Sequence, residues 1–306
     1  MTTPLAPRPF GSTSLRVGPI GLGSSYGLAA RDVERASERG VNFFLWGSRR
    51  RGDFGLGLRN VVRARRASAI VAIQSYTRVG WMMRFGVERA LRTLGTDYID
   101  VLCLAWWNGA PPPRIVDAAL RLRESGKVQH LMLSSHHRPL FAELSREARD
   151  AQQPRPTYDA FMLRYNAAHP GAEREIFPHL PERTQAEGRR PATVAFTATR
   201  WGSLLDPRVL PAGEATPRAS DCYRFALSDP NVDLCLAGPK DSRELDEALL
   251  AVDRGAMNGE ELAWMRRVGA HVRQATKSAP RGVGMALADR MAQAFTCSSS
   301  PKQLAG

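Results

Sequence analysis

From residue 17 to about residue 250 the chain alternates short apolar runs with amphipathic stretches, and this pattern constrains its fold more than any other feature. Strand-length apolar runs separated by helical periodicity are the mark of successive βα units building a parallel sheet. The runs fall at 18–23 (GPIGLG), 41–46 (VNFFLW), 69–74 (AIVAIQ), 98–105 (YIDVLCLA), 128–134 (VQHLMLS), 158–164 (YDAFMLR), 192–197 (ATVAFT) and 231–237 (NVDLCLA). Helical segments fill the gaps at about 29–39, 54–66, 82–94, 114–125, 138–149, 172–182, 217–228 and 241–252. Eight such pairs predict an α/β fold of the (β/α)8 TIM-barrel type, since closing the sheet removes the edges an open one leaves exposed.

A barrel of this kind takes about 250 residues, so a chain of 306 has room for extensions. Ahead of the first strand, residues 8–17 carry a Gly-Ser turn flanked by β-formers, which predicts a hairpin across the bottom of the barrel. After the barrel (17–252), residues 258–274 read as one more amphipathic helix. We expect one unit over 1–275, followed by a flexible or weakly helical tail at 276–306.

The formal charge of +13 invites a nucleic-acid reading. Only four of the 43 basic residues are lysines, however, and the arginines are spread along the chain and mixed with acids. There is no RNP-type aromatic motif and no zinc-finger spacing, so no dedicated nucleic-acid role is expected. The four cysteines lack CxxC spacing, which argues against a disulfide scaffold or structural zinc and for a reducing, cytoplasmic setting. No metal site is expected. No run of about 18 apolar residues could span a membrane, and the N-terminus lacks a signal-peptide core.

Six segments, in order, resemble the aldo-keto reductases over about residues 8–252. GSTSLRVGPIGLGSSYG is similar to that family's hairpin and first strand, ERGVNFF to its second strand, and VERALRTLGTDYIDVLCL, the most specific stretch, to its third helix and fourth strand. ESGKVQHLMLSS, VAFTATRWGSLL and SDPNVDLCLAGPKDSRELDEAL resemble the fifth strand, the seventh strand with its loop, and the eighth strand with the cofactor-phosphate helix. The resemblance implies hydride transfer from NADPH to a carbonyl at the C-terminal mouth of the barrel. It also implies a tyrosine proton donor, a lysine that lowers its pKa, an aspartate paired with the lysine, and a histidine that orients the substrate oxygen.

Placed by register, all four roles are vacant. The aspartate position is Leu45, the tyrosine position Arg50, the lysine position Gln74 and the histidine position Ala105. A rebuilt site would draw on Arg50, Gln74, Tyr76 or His136, with Asp53 a further acid. The resemblance keeps more of the cofactor site. Ser134 and Ser135 stand where the family has serine-asparagine, Phe196 where an aromatic stacks on nicotinamide, with Thr197 beside it, and Gly238 and Lys240 where a turn and a cation hold the 2′-phosphate. It departs at Met162, Glu244 and Ala248, where amides would face nicotinamide and adenine. The cofactor implied is NADP.

The Arg49-Arg50-Arg51 run reads as a solvated loop or, at the mouth of a barrel, as a clamp for an anionic small molecule. Two functions follow: an NADP(H)-linked oxidoreductase with an atypical site, or a catalytically lapsed barrel that binds a nucleotide or another anion.

Overall fold

The computed structural model describes residues 6–47, 53–107, 109–150, 157–183 and 189–277. The chain opens with a two-stranded antiparallel hairpin, β1 (Arg8–Pro9) and β2 (Arg16–Val17). The barrel then runs β3 (Ile20–Gly23), α1 (Ala30–Glu38), β4 (Phe43–Trp46), α2 (Phe54–Arg65), β5 (Ile70–Ser75), α3 (Gly80–Leu94), β6 (Ile99–Leu104), α4 (Pro113–Glu124) and β7 (Val128–Ser135). It continues with α5 (Arg138–Asp150), β8 (Ala160–Arg164), α6 (Ala172–Glu175), β9 (Ala192–Phe196), α7 (Ala219–Leu227), β10 (Leu234–Ala237) and α8 (Ser242–Arg254), and α9 (Gly259–Lys277) follows. The eight strands from β3 to β10 are parallel neighbours, and β10 closes on β3. The predicted (β/α)8 barrel and its hairpin are what the chain forms.

The alternation of side chains along each strand sorts the apolar residues into two bodies. One fills the barrel, with Phe43, Ala72, Val101, Met132, Val194 and Leu234 among its members. The other lies between the strands and the surrounding helices. The hairpin seals the lower end: Phe10 is fully buried in the interior body with its ring 5.6 Å from that of Phe43. Gly11 makes the seal possible, because its φ of +57° and the backbone of Ala192 pressed against it leave no place for a Cβ.

Buried carboxylates tie neighbouring strands together near the same end. Asp100 accepts from the Val71 N–H at 2.8 Å, Asp159 from Leu131 at 2.9 Å and Asp233 from Thr193 at 2.7 Å. A guanidinium accompanies each, from Arg66, Arg123 and Arg183 respectively. Burial alone would hold these acids protonated, and it does raise Asp100 and Asp233, but the arginines and backbone donors pull the other way.

One helical segment differs from expectation. Residues 172–182 form only the short α6 and a 3-10 turn at Phe177–His179. Pro178 and Pro181 interrupt it, since proline has no N–H to donate and its ring collides with the preceding turn. The helix expected at 258–274 is α9, three residues longer at its end. The expected tail lies outside the described residues beyond Lys277.

Candidate active site

The inward-facing residues at the strands' C-terminal ends form the floor of the mouth. Leu45 and Ala105 are buried there among Cys103 and Met162, so two of the four catalytic positions present hydrocarbon. Gln74 stands half-buried between them, its amide nitrogen 3.8 Å from the Met162 sulfur and its oxygen accepting the Tyr76 hydroxyl at 2.9 Å. Gln74 and Tyr76, two of the separate candidates named from the sequence, are thus hydrogen-bonded to each other. Arg50 and the rest of its arginine run lie outside the described residues, as does any contact they make. Asp53 immediately precedes α2, with no side-chain bond capping that helix.

Tyr76 is held edge-on to Trp106, ring centroids 5.1 Å apart. The loops after β5 and β6 are joined by Arg78, whose guanidinium donates to the Tyr76, Ala105 and Trp106 carbonyls at 3.1, 3.3 and 2.6 Å. It also lies 3.7 Å over the Trp107 ring. Sequence reasoning missed this arginine, because nothing local marks it as a brace. Trp106 has φ +58°, and the other non-glycine residues with positive φ among those described are Thr197, Arg200 and Trp201. All four lie in mouth loops. Such conformations cost about 1–3 kcal/mol each and gather at functional sites.

On the opposite wall Phe196 is half-buried, with the His136 ring edge-on at 5.7 Å. Thr197 donates its hydroxyl to the Phe196 carbonyl at 2.7 Å, and buried Asn166 donates to the Thr197 carbonyl at 2.8 Å, fixing the end of β9 to the loop after β8. Ser134 and Ser135 are both buried, and the Ser135 hydroxyl accepts the His137 N–H at 2.9 Å. At Gly238 the Tyr26 ring lies directly on the glycine, where a Cβ would collide.

The end of the site at α8 is already charged. Asp241 caps the helix by accepting the Glu244 N–H at 2.9 Å. Glu244 in turn accepts from the Lys240 backbone at 3.0 Å and pairs with the Lys240 ammonium at 2.8 Å, a partnership that raises the lysine's pKa. Ala248 is fully buried and offers no polar group.

A nicotinamide nucleotide fits these residues with one adjustment. Phe196 supplies a π-face at the end of β9, Ser134 lies two strands away on β7, and the α8 N-terminus follows β10. A 2′-phosphate at Lys240 would have to displace Glu244. That ion pair is solvent-exposed, and exposed pairs are weak, so the displacement is small beside the charge-assisted bonds a phosphate forms. Among the described residues no group of three or more His, Cys, Asp or Glu could hold a metal, and no helix is long and apolar enough to cross a membrane.

No family model matches the chain. Norsolorinic acid reductase B of Aspergillus parasiticus is 32% identical over 97 residues, which is 31% of this chain and only a quarter of that protein's length. Solved structures match far more of it. An aldo-keto reductase of Bacillus halodurans in its holo form superposes with a TM-score of 0.66 over 86% of this chain and 95% of its own, at 19% identity. An aldo/keto reductase of Klebsiella pneumoniae in complex with NADP and acetate superposes with a TM-score of 0.65 over 83% and 92%, at 20% identity. Segment order, barrel topology and these likenesses agree, and the fold is that of the aldo-keto reductase superfamily.

Proposed function

We propose that the chain is an NADP(H)-linked oxidoreductase of aldo-keto reductase type whose site is not equipped for standard carbonyl reduction. The observation that carries this reading is the floor of the mouth, where buried Leu45 and Ala105 and an amide, Gln74, occupy the positions of the aspartate, histidine and lysine. A bound nicotinamide supplies hydride. The chain's part is to hold the ring against Phe196 and to meet the negative charge that grows on the substrate oxygen. The phenol nearest that task is Tyr76, whose proton is directed at the neutral oxygen of Gln74. Gln74, which stands at the lysine position, brings no charge to this pair, and a well-tuned donor is typically worth about 10²–10⁴ in rate. Among the described residues the three cysteines, Cys103, Cys222 and Cys235, are free and buried, which accords with a reducing, cytoplasmic setting.

The test is direct. NADPH is added and its fluorescence followed on binding, and then aldehydes and quinones are screened for its oxidation. Binding with slow or selective turnover is expected. Fast reduction of simple aldehydes would overturn the reading and point to Tyr76 or His136 as donor. The apolar character of positions 45 and 105 also favours the second reading, a lapsed nucleotide- or anion-binding barrel, and binding with no turnover of any carbonyl would select it.

A further inference from the structure

We propose that the outer face of α2 and α3 docks the protein on an anionic phospholipid bilayer, with Trp81, Met82 and Phe85 entering the interface and the arginines beside them meeting the headgroups. This goes beyond the reading of the mouth and does not depend on which nucleotide or carbonyl compound the mouth takes.

One side of α3 is spent on the barrel, where Met83, Val87, Ala90 and Leu94 are buried. Its first turns carry apolar residues on the other side as well. Trp81 is 71% exposed, Phe85 55% and Met82 48%, and Val79, just ahead of the helix, is 40% exposed. Trp81 and Phe85 are four residues apart and Met82 and Phe85 three, so the three side chains are neighbours on one helix surface. Water-exposed apolar groups gathered in this way mark a surface that something else covers. The turn bearing them is firmly seated. Gly80 lies against α4, where a Cβ would be 2.9 Å from that of Ala118, and Arg78 is bonded to the carbonyls of the loops after β5 and β6. At Gly86, on the same surface, nothing lies within 4 Å of where a Cβ would be, so the helix there is open and not grooved.

Charge identifies the occupant. From Phe54 to Gly95 the sequence holds eight arginines and a single acid, Glu88, and that acid is already paired with Arg84 at 2.9 Å and Lys127 at 2.8 Å. Arg66 is held by Asp100, and Arg78 by the mouth loops. The other five, Arg59, Arg63 and Arg65 on α2 and Arg89 and Arg92 on α3, are exposed and form no ion pair among the described residues. Asp53 and Asp97 flank the two helices, and on neighbouring α4 exposed Asp117 and Glu124 balance Arg114 and Arg121, so the excess is positive. Helices α2 and α3 are packed side by side, which makes the positive sign continuous across both. A second copy of the chain would set like charges face to face across a two-fold interface. A protein partner would need a preformed pocket for a protruding indole. A bilayer yields to protruding side chains, accepts tryptophan at headgroup level, and in its anionic form is negative throughout, so that each nearby arginine adds attraction. Docking of this kind needs no spanning helix.

The experiment is co-sedimentation of the full chain with vesicles of phosphatidylcholine alone and of phosphatidylcholine mixed equally with phosphatidylglycerol. Binding to the mixed vesicles is expected to be tighter by about tenfold or more. Trp81→Ser/Phe85→Ser and Arg89→Gln/Arg92→Gln should each weaken it by about tenfold or more, the first by removing the apolar anchor and the second by removing headgroup contacts. Arg208→Gln/Arg267→Gln removes as many charges from exposed positions across the barrel, in the loop after β9 and on α9, and should bind like the wild type. The replaced side chains in the apolar pair are exposed, so its melting temperature should match the wild type's. A second measurement locates the inserted residue. Lipids brominated on their acyl chains should quench the wild-type tryptophan emission, and Trp81→Phe should still bind while losing most of that quenching, although five other tryptophans remain. Absence of binding to the anionic vesicles overturns the proposal. So does binding that Trp81→Ser/Phe85→Ser leaves unchanged, an equal loss in the two arginine pairs, which would mean adsorption by overall charge, or undiminished quenching in Trp81→Phe. A lipid-free dimer that Trp81→Ser/Phe85→Ser dissolves, without vesicle binding, overturns it in favour of a second copy of the chain.

Discussion

Leu45→Asp and Gln74→Lys, made singly and together, test whether these two positions face each other at the mouth. On neighbouring strands Leu45 pairs with Ala72 and Trp46 with Ile73, so Gln74 lies one pleat above Leu45 on the same inward face. The Gln74 oxygen reaches toward the end of β4, 3.0 Å from where a Gly47 Cβ would lie. Leu45 is 6% exposed, so Leu45→Asp removes a packed side chain and inserts a carboxylate among Ala105, Cys103 and Met162. Loss of packing and an unpaired buried charge together should destabilise by about 3–5 kcal/mol. Gln74 is half-buried and has some water to draw on, so Gln74→Lys alone should destabilise by about 1–3 kcal/mol. In the double variant the ammonium meets the carboxylate, and a coupling energy of about 1–3 kcal/mol in the favourable direction is expected. Urea denaturation of all four proteins closes the cycle. Strictly additive single effects would show that the side chains at 45 and 74 do not meet and that the register argument for the vacant catalytic positions is wrong. The double variant puts an ammonium beside the Tyr76 hydroxyl, but Ala105 still offers no polar group to orient a carbonyl, so at most a small gain in aldehyde reductase activity is expected.

Glu244→Gln should tighten NADPH binding and Lys240→Ala should weaken it, each by about tenfold, with NADH little affected by either, since the carboxylate competes with a 2′-phosphate for the lysine. Fluorescence titration reads both, and equal effects on the two cofactors would refute the placement. Gly269→Ala should destabilise by about 1–3 kcal/mol even though alanine favours helix, because α9 must lift off the backbone of Ala167, and denaturation of the ligand-free protein checks it. The His169 imidazole, pushed down to about 3 by burial first, should stay neutral as pH falls from 7 to about 5, which NMR titration of the ring will show. The unfolded chain takes up that proton near its ordinary value of about 6.5, so the stability His169 contributes is complete above that pH and is lost as pH falls toward 3. His169→Asn should flatten that part of the pH dependence.

The barrel, its strand order and the hairpin beneath it were legible in the sequence because they follow from local periodicity: apolar runs of strand length, helical spacing between them, and a turn ahead of the first strand. Residue identity at a known strand register also showed that positions 45, 74 and 105 lack the expected ionisable groups, and the structure buries Leu45 and Ala105 as hydrocarbon. What periodicity could not carry is any property that depends on distances between remote parts of the chain. Nothing in the neighbouring sequence assigns a partner to the aspartates in YIDV, YDAF and VDLC. Only folding brings each beside a neighbouring strand's N–H and an arginine. Lys240 read as a free cation, and the turn into α8 hands it to Glu244. Gly269 lets α9 press onto the backbone of Ala167 in the loop after β8, a contact set by separation in space, to which sequence distance gives no guide.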